Sequence, residues 1–193
     1  MVADIRAQAQ RRDRWVSWIV IAVFIVSLLL GLVIKAVAQS PAETYDGGTF
    51  RVRYPAGWTK LTADAPVVLE VADRVAGLRT TLTLERRAGT DAQGALGTIQ
   101  TGLETSRKRT LNSYVRLSAD TEARIGIYDQ AIHVTFAYVD FDPNKQTAPV
   151  VIRGEDYLIA IGGEVYIFTV TTPETDYAQA QRYLKDFVRS FQK

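Results

Sequence analysis

The chain has 193 residues, 23 of them basic and 21 acidic, a single histidine and no cysteine, which suits one ordinary domain plus an appendage. The lack of cysteine excludes a disulfide framework, thiolate zinc sites, iron–sulfur clusters and CxxCH haem attachment. The net charge of +2 is unevenly shared, with +3 on residues 1–40 and −1 on the rest, so the domain has no cationic excess with which to displace counterions from phosphates, and nucleic acid is not an expected partner.

The chain opens with a basic tail, residues 1–14, that carries Arg6, Arg11, Arg12 and Arg14. Trp15 to Ile34 are 20 consecutive uncharged residues, a helix of about 30 Å and therefore the thickness of the hydrocarbon layer. Fourteen of them are Val, Ile, Leu or Phe, which together favour insertion by up to about 4–8 kcal/mol. The expected anchor is bounded by Trp15 and Trp18, whose indoles suit the headgroup layer, and runs through Phe24 to Ile34. Three arginines before it against Lys35 alone after it place the N-terminus in the cytoplasm and residues 36–193 on the periplasmic side of the inner (plasma) membrane. Ala36-Val37-Ala38 is also an A-x-A cleavage site, but the apolar stretch is longer than the 7–15 residues of a signal core, so a retained single-pass anchor is the expectation. Ser27 and Gly31 form a small-xxx-small pair and are the candidate contact for a partner helix.

Residues 35–48 read as a linker. At 49–54, Phe50, Val52 and Tyr54 alternate with Arg51 and Arg53, the pattern of a half-buried strand, and Pro55-Ala56-Gly57 ends it. Strands are predicted over 67–72 and 78–85, and then a helix capped by Asp91 and running to Arg109 on the stripe Ala95, Leu96, Ile99 and Leu103. Three more strands are predicted at 113–118, 122–128 and 130–140. A hairpin of 150–161 and 165–171 follows, turning on Gly162-Gly163-Glu164. Thr172 as N-cap and Pro173 as the first residue start the last helix, with Tyr177, Leu184, Phe187, Val188 and Phe191 on one face. The fold class expected is α+β, a central antiparallel sheet covered by helices, over residues 49–193.

Phe50-Arg51-Val52-Arg53-Tyr54-Pro55-Ala56-Gly57-Trp58 resembles the F-x-V-x-Y-P-x-G-W opening of the PsbP-like family, and the strand 166–173, a helix and Ser190-Phe191 resemble its close. The resemblance, to a membrane-anchored bacterial version, implies a fold shared with Mog-type nuclear-transport proteins and an accessory domain that docks on a membrane assembly. It carries over no functional residue.

Little in the sequence points to chemistry. His133 is the sole histidine, there is no G-x-S-x-G elbow beside which it would serve a serine nucleophile, and the alternation on its strand puts it on a face covered by a helix. Asp140, Asp142 and Asn144 are candidate calcium ligands at the D-x-D-x-N spacing that opens an EF-hand loop. Lys145 and Val151 stand where that loop requires Gly and Glu, so an acidic loop turned by Pro143 is expected. Gly94, Gly97 and Gly102 lie inside the first predicted helix and make no phosphate loop. Arg107-Lys108-Arg109 ends that helix as a solvated cationic turn that complements its dipole, with contact to lipid headgroups or an acidic partner as the alternative. No catalytic residue, cofactor or metal site is expected. The functional expectation is a non-enzymatic accessory subunit of a photosynthetic or respiratory electron-transfer complex, with other membrane subunits as partners. The alternative is an anchored module that binds a lipid or small-molecule ligand.

Overall fold

The computed structural model describes residues 42–73, 80–89, 92–141 and 148–193, together with positions 18, 21, 23–28 and 30. The chain divides into two units, Met1–Pro41 and Ala42–Lys193. In the first unit the described residues are helical and exposed, Trp18 by 69% and Phe24 by 67%. Among the described residues no helix is long and apolar enough to cross a membrane. Ser27 is among the described helical residues, whereas Trp15, Gly31 and Ile34 lie outside them.

The second unit is built on a seven-stranded antiparallel sheet. β1 (Ala42–Asp46) and β2 (Arg51–Pro55) make a separate hairpin, and the main sheet follows the order β3 (Thr59–Lys60), β4 (Val67–Ala72), β5 (Thr81–Ala88), β9 (Glu164–Pro173), β8 (Val150–Ile161), β7 (Tyr128–Asp140) and β6 (Val115–Ile125). Helix α1 (Ala92–Thr110) and helix α2 (Tyr177–Arg189) cover its two faces. Period-2 alternation assigns the layers. Ile132 and Val134 of β7 and Leu158 and Ile167 of the central strands pack with Leu96 and Leu103 of α1. Ala131, Tyr157, Phe168 and Val170 face the other way, onto Leu184, Phe187 and Val188 of α2 and the hairpin residues Phe50 and Val52.

Several boundaries differ from expectation, each for a physical reason. Residues 42–46, read as linker, form β1, because Ala42 to Asp46 find backbone partners in Pro55 to Arg51, with Tyr45 alone packing against the core. The two strands expected at 113–118 and 122–128 are one, β6, whose register with β7 shifts three times. Gly126, at φ +61°, turns the chain into β7 where the apolar run continued, and it leaves Ile127 84% exposed. The strand expected at 78–85 is β5, from Thr81 to Ala88. Thr172 does not cap a helix. It pairs with Arg153 in the sheet and shares a hydrogen bond of 2.8 Å with Thr80, and the ladder carries β9 on through Pro173 before a 3-10 turn, Glu174–Asp176, leads into α2. Asp91 lies outside the described residues.

The opening motif builds this fold. Phe50 and Val52 are buried, Gly57 sits at φ +80° as only glycine readily does, and Trp58 sets its ring edge on Tyr183 at 5.3 Å. The β8–β9 turn is the expected one, with Gly162 and Gly163 at φ +56° and +80° between paired Ile161 and Glu164, the two left-handed residues of a type I′ hairpin.

Candidate functional site

β8 reads Val150-Val151-Ile152-Arg153-Gly154-Glu155-Asp156-Tyr157-Leu158, an apolar strand interrupted by charges. Strand alternation sends Glu155 and Asp156 to opposite faces, and both are buried, at 0% and 1% exposure. Burying two carboxylates is tolerable only where each is paired and hydrogen-bonded. Each meets that condition on its own side.

On the α2 face, Glu155 lies 2.8 Å from His133 Nε2 and accepts a hydrogen bond of 2.8 Å from the Tyr177 hydroxyl. With the carboxylate charged, Nε2 carries the proton and donates it. His133 stacks on the Tyr157 ring at 4.5 Å, and the Arg153 guanidinium lies over the Tyr177 ring at 4.2 Å while it pairs with Glu174. Burial works against the charge on Glu155, but hydrogen bonds from His133, Tyr177 and Gln181 outweigh it and hold the carboxyl below its ordinary value. Burial, and then the neighbouring Glu155 charge, push the Tyr157 hydroxyl up to about 12. The Tyr177 hydroxyl is raised by burial, then by its hydrogen bond to Glu155 and that carboxylate's charge.

On the α1 face, Arg107 grips Asp156 with both guanidinium nitrogens, Nη2 to Oδ1 at 3.0 Å and Nη1 to Oδ2. Thr169 donates its hydroxyl to Oδ1 at 2.7 Å, and the guanidinium lies over the Phe136 ring at 4.1 Å. Burial disfavours the cation, but the charge and hydrogen bonds of Asp156 prevail and raise its pKa. Gly154 makes room for this arrangement, since a Cβ there would fall on the Phe136 ring. Gly154→Ala is therefore expected to destabilise the domain by about 1–3 kcal/mol through overpacking, seen as a lower urea midpoint.

Consecutive residues of one central strand thus clamp both helices, Asp156 holding the C-terminal turn of α1 and Glu155 the first turn of α2. The expectation of a solvated cationic turn at 107–109 is corrected on this point. Lys108 and Arg109 are exposed, but Arg107 turns into the sheet because Asp156 needs a counter-charge. His133 falls on the helix-covered face. Its hydrogen-bond partner is a carboxylate, and among the described residues no serine or threonine hydroxyl is bonded to it. Asp140 ends β7, and Asp142 and Asn144 lie outside the described residues. Among the described residues no group of three or more His, Cys, Asp or Glu is placed to hold a metal ion. Gly97 and Gly102 stand on the exposed side of α1.

The Glu155 cluster predicts a pH dependence. The folded state keeps this carboxylate charged where the unfolded chain takes up a proton, so its stabilisation is complete above the ordinary glutamate range and is lost as pH falls through that range towards the lower folded value. Between about pH 6 and pH 3 the urea midpoint of the natural chain is expected to fall more steeply than that of Glu155→Gln. Parallel curves would show that this carboxylate is not held charged by folding.

No protein-family model matches the sequence, and neither does any curated protein. Solved structures are similar in fold. PsbP from Synechocystis superposes with a TM-score of 0.56 at 13% identity, over 79% of this chain and 92% of that one. The Ran-binding protein Mog1p of Saccharomyces cerevisiae gives 0.52 at 12% identity, over 79% and 95%. A Bacteroides thetaiotaomicron protein gives 0.49 at 10% identity over 80% of this chain, which spans about half (48%) of that protein's length. The domain has the PsbP/Mog1-like fold, a mainly antiparallel sheet between helices.

Proposed function

We propose that the chain is a non-enzymatic accessory subunit of a membrane protein complex of photosynthetic or respiratory electron transfer. Trp15–Ile34 anchor it by a single helix with the N-terminus in the cytoplasm, and its periplasmic domain docks on partner subunits. The observation that carries this reading is the helical and exposed apolar run near the N-terminus. Trp18, Ile21, Val23, Phe24, Leu28 and Leu30 are each at least 48% exposed, a surface that water disfavours and that lipid or a partner helix would cover. In that reading Ser27 and Gly31 allow a partner helix to approach closely. The use of Glu155, Asp156, His133 and Arg107 to hold helices onto the sheet favours a structural role over a catalytic one. The electron-transfer setting rests on the likeness to PsbP, which extends to the fold alone.

The test is extraction in mild detergent followed by native electrophoresis. The chain is expected to migrate in an assembly well above its own 21.4 kDa, and Gly31→Leu, which blocks close helix approach, is expected to release it. Migration of the natural chain as a lone monomer would overturn the reading.

A further inference from the structure

Among the described residues of the domain, five large apolar side chains are exposed: Val115, Leu117, Ile127, Phe141 and Val151. Single exposed apolar residues need no explanation, but four of these five gather at one end of the sheet. The registers show it. Ala72, Thr81, Thr171, Gly154, Phe136 and Arg116 form one row across the strands. Val115 and Leu117 flank the last residue of that row, Val151 pairs with Val139 beyond it, and Phe141 follows Asp140 further out. Val115 and Val151 lie on the α2 face, where α2 begins only at Tyr177 beside Glu155 and leaves this end bare. Ile127 alone sits at the opposite end, in the β6–β7 turn.

Two further features meet at this end. Helix α1 terminates here with Lys108 and Arg109, both exposed, Lys108 also pairing with Glu104 at 2.7 Å, next to Arg107 on Phe136. The domain's first residue belongs here too. β2 starts beside Phe50, which contacts Tyr166 and Phe191 at the far end, and runs to Pro55, after which Thr59 pairs with Ala72 of the row above. Ala42 lies opposite Pro55. In the sequence only seven residues, 35–41, separate Ala42 from Ile34, a tether of about 25 Å at full stretch.

We infer that this end of the domain rests on the bilayer surface, with Val115, Leu117, Phe141 and Val151 entering the boundary between headgroups and acyl chains while Lys108 and Arg109 meet lipid phosphates. The inference rests on the anchored reading proposed above. It accounts for the coincidence at one end of the chain's entry, the exposed apolar cluster and the helix-terminal cations, the combination that suits an interfacial contact.

The chain contains no cysteine, so single-cysteine variants of the full chain report one site each. Leu117→Cys, Val151→Cys and, as control, Ile127→Cys are labelled with an environment-sensitive fluorophore and reconstituted in phosphatidylcholine vesicles containing phosphatidylglycerol. All three positions are exposed, so the label displaces no core. The probes at 117 and 151 are expected to shift to the blue and to be quenched by lipid-borne quenchers at a depth of about 5–10 Å into the interface, while the probe at 127 stays aqueous. Vesicles that keep the chain through alkaline carbonate but leave 117 and 151 in water would overturn this inference and spare the anchor. Loss of the chain in carbonate would overturn the anchor, and the inference with it. A blue shift without lipid quenching that fades on dilution would place a second copy there and also overturn it.

Discussion

Arg107→Ala is expected to destabilise the domain by about 3–5 kcal/mol, the cost of stranding a buried charge. Asp156 has only 2% of its side chain exposed and Arg107 15%, so water cannot replace the guanidinium. What remains to the carboxylate is the single hydrogen bond from Thr169. The α1 turn also loses its contact with the Phe136 ring. The control is the double replacement Arg107→Met with Asp156→Leu, which removes both charges at similar volume and is expected to recover most of the loss, since a buried pair rarely outperforms a packed apolar one. Urea midpoints of the natural chain, Arg107→Met, Asp156→Leu and the double variant form the cycle that gives the coupling directly. A single variant within about 1 kcal/mol of the natural chain would mean that Asp156 rehydrates and that the clamp on α1 is dispensable.

Phe191→Ala is expected to cost a similar amount, about 3–5 kcal/mol, although it lies two residues from the end of the sequence given. Its ring, 2% exposed, sits 5.5 Å from Phe50, 4.7 Å from Tyr166 and 5.2 Å from Phe168. It thereby joins the β1–β2 hairpin to two positions of β9. Each such aromatic pair is worth about 0.5–1.5 kcal/mol beyond its buried area. The segment is also stitched to β2 by reciprocal backbone hydrogen bonds between Arg51 and Gln192, of 2.7 and 2.9 Å, and by Arg53 N donating to Ser190 Oγ at 2.8 Å. Loss of the ring should therefore loosen the hairpin as well as the core, lowering the thermal midpoint by roughly 10 °C and raising amide exchange at Arg51 and Arg53. Phe191→Leu, which keeps much of the volume, should lose less than half as much. Unchanged exchange at Arg51 would show that the hairpin is held independently of the ring.

These two sites differ in how far the sequence betrayed them. In the sequence Phe191 reads as the last of an amphipathic stripe with Leu184, Phe187 and Val188. Although α2 ends at Arg189 and leaves it just past the helix, the periodicity marks it as core, as clean alternation with arginines marks Phe50 and Val52. Arg107 gave the opposite impression, because three cations at a helix end have a sufficient local explanation in the helix dipole, and its true partner is 49 residues away. A signal was present on the other side. Glu155-Asp156 lies, with Arg153, in the middle of a strand whose two ends are apolar, and paired acids in such a place demand two counter-groups. β1 was illegible for a different reason. Ala42 to Asp46 are mostly exposed and are held through backbone pairing, the Glu43 carboxylate and the single ring of Tyr45, which leaves no apolar alternation to read. Gly126 ended a strand where the apolar residues on both sides suggested continuation, and a left-handed turn at one glycine leaves little trace in composition.

The adjacent carboxylates of β8 have a consequence for how the sheet assembles. A strand that slips by one position against its neighbours exchanges its two faces. For most of β8 such an error would trade one apolar side chain for another at small cost. At Glu155 and Asp156 it would turn each acid to the opposite face, and since a shift of one position can seat only one of them where the other stood, at least one buried carboxylate would lose its partners. Positions 155 and 156 together therefore act as a proofreading mark in the middle of the sheet, penalising misaligned pairings while the chain is still choosing among them.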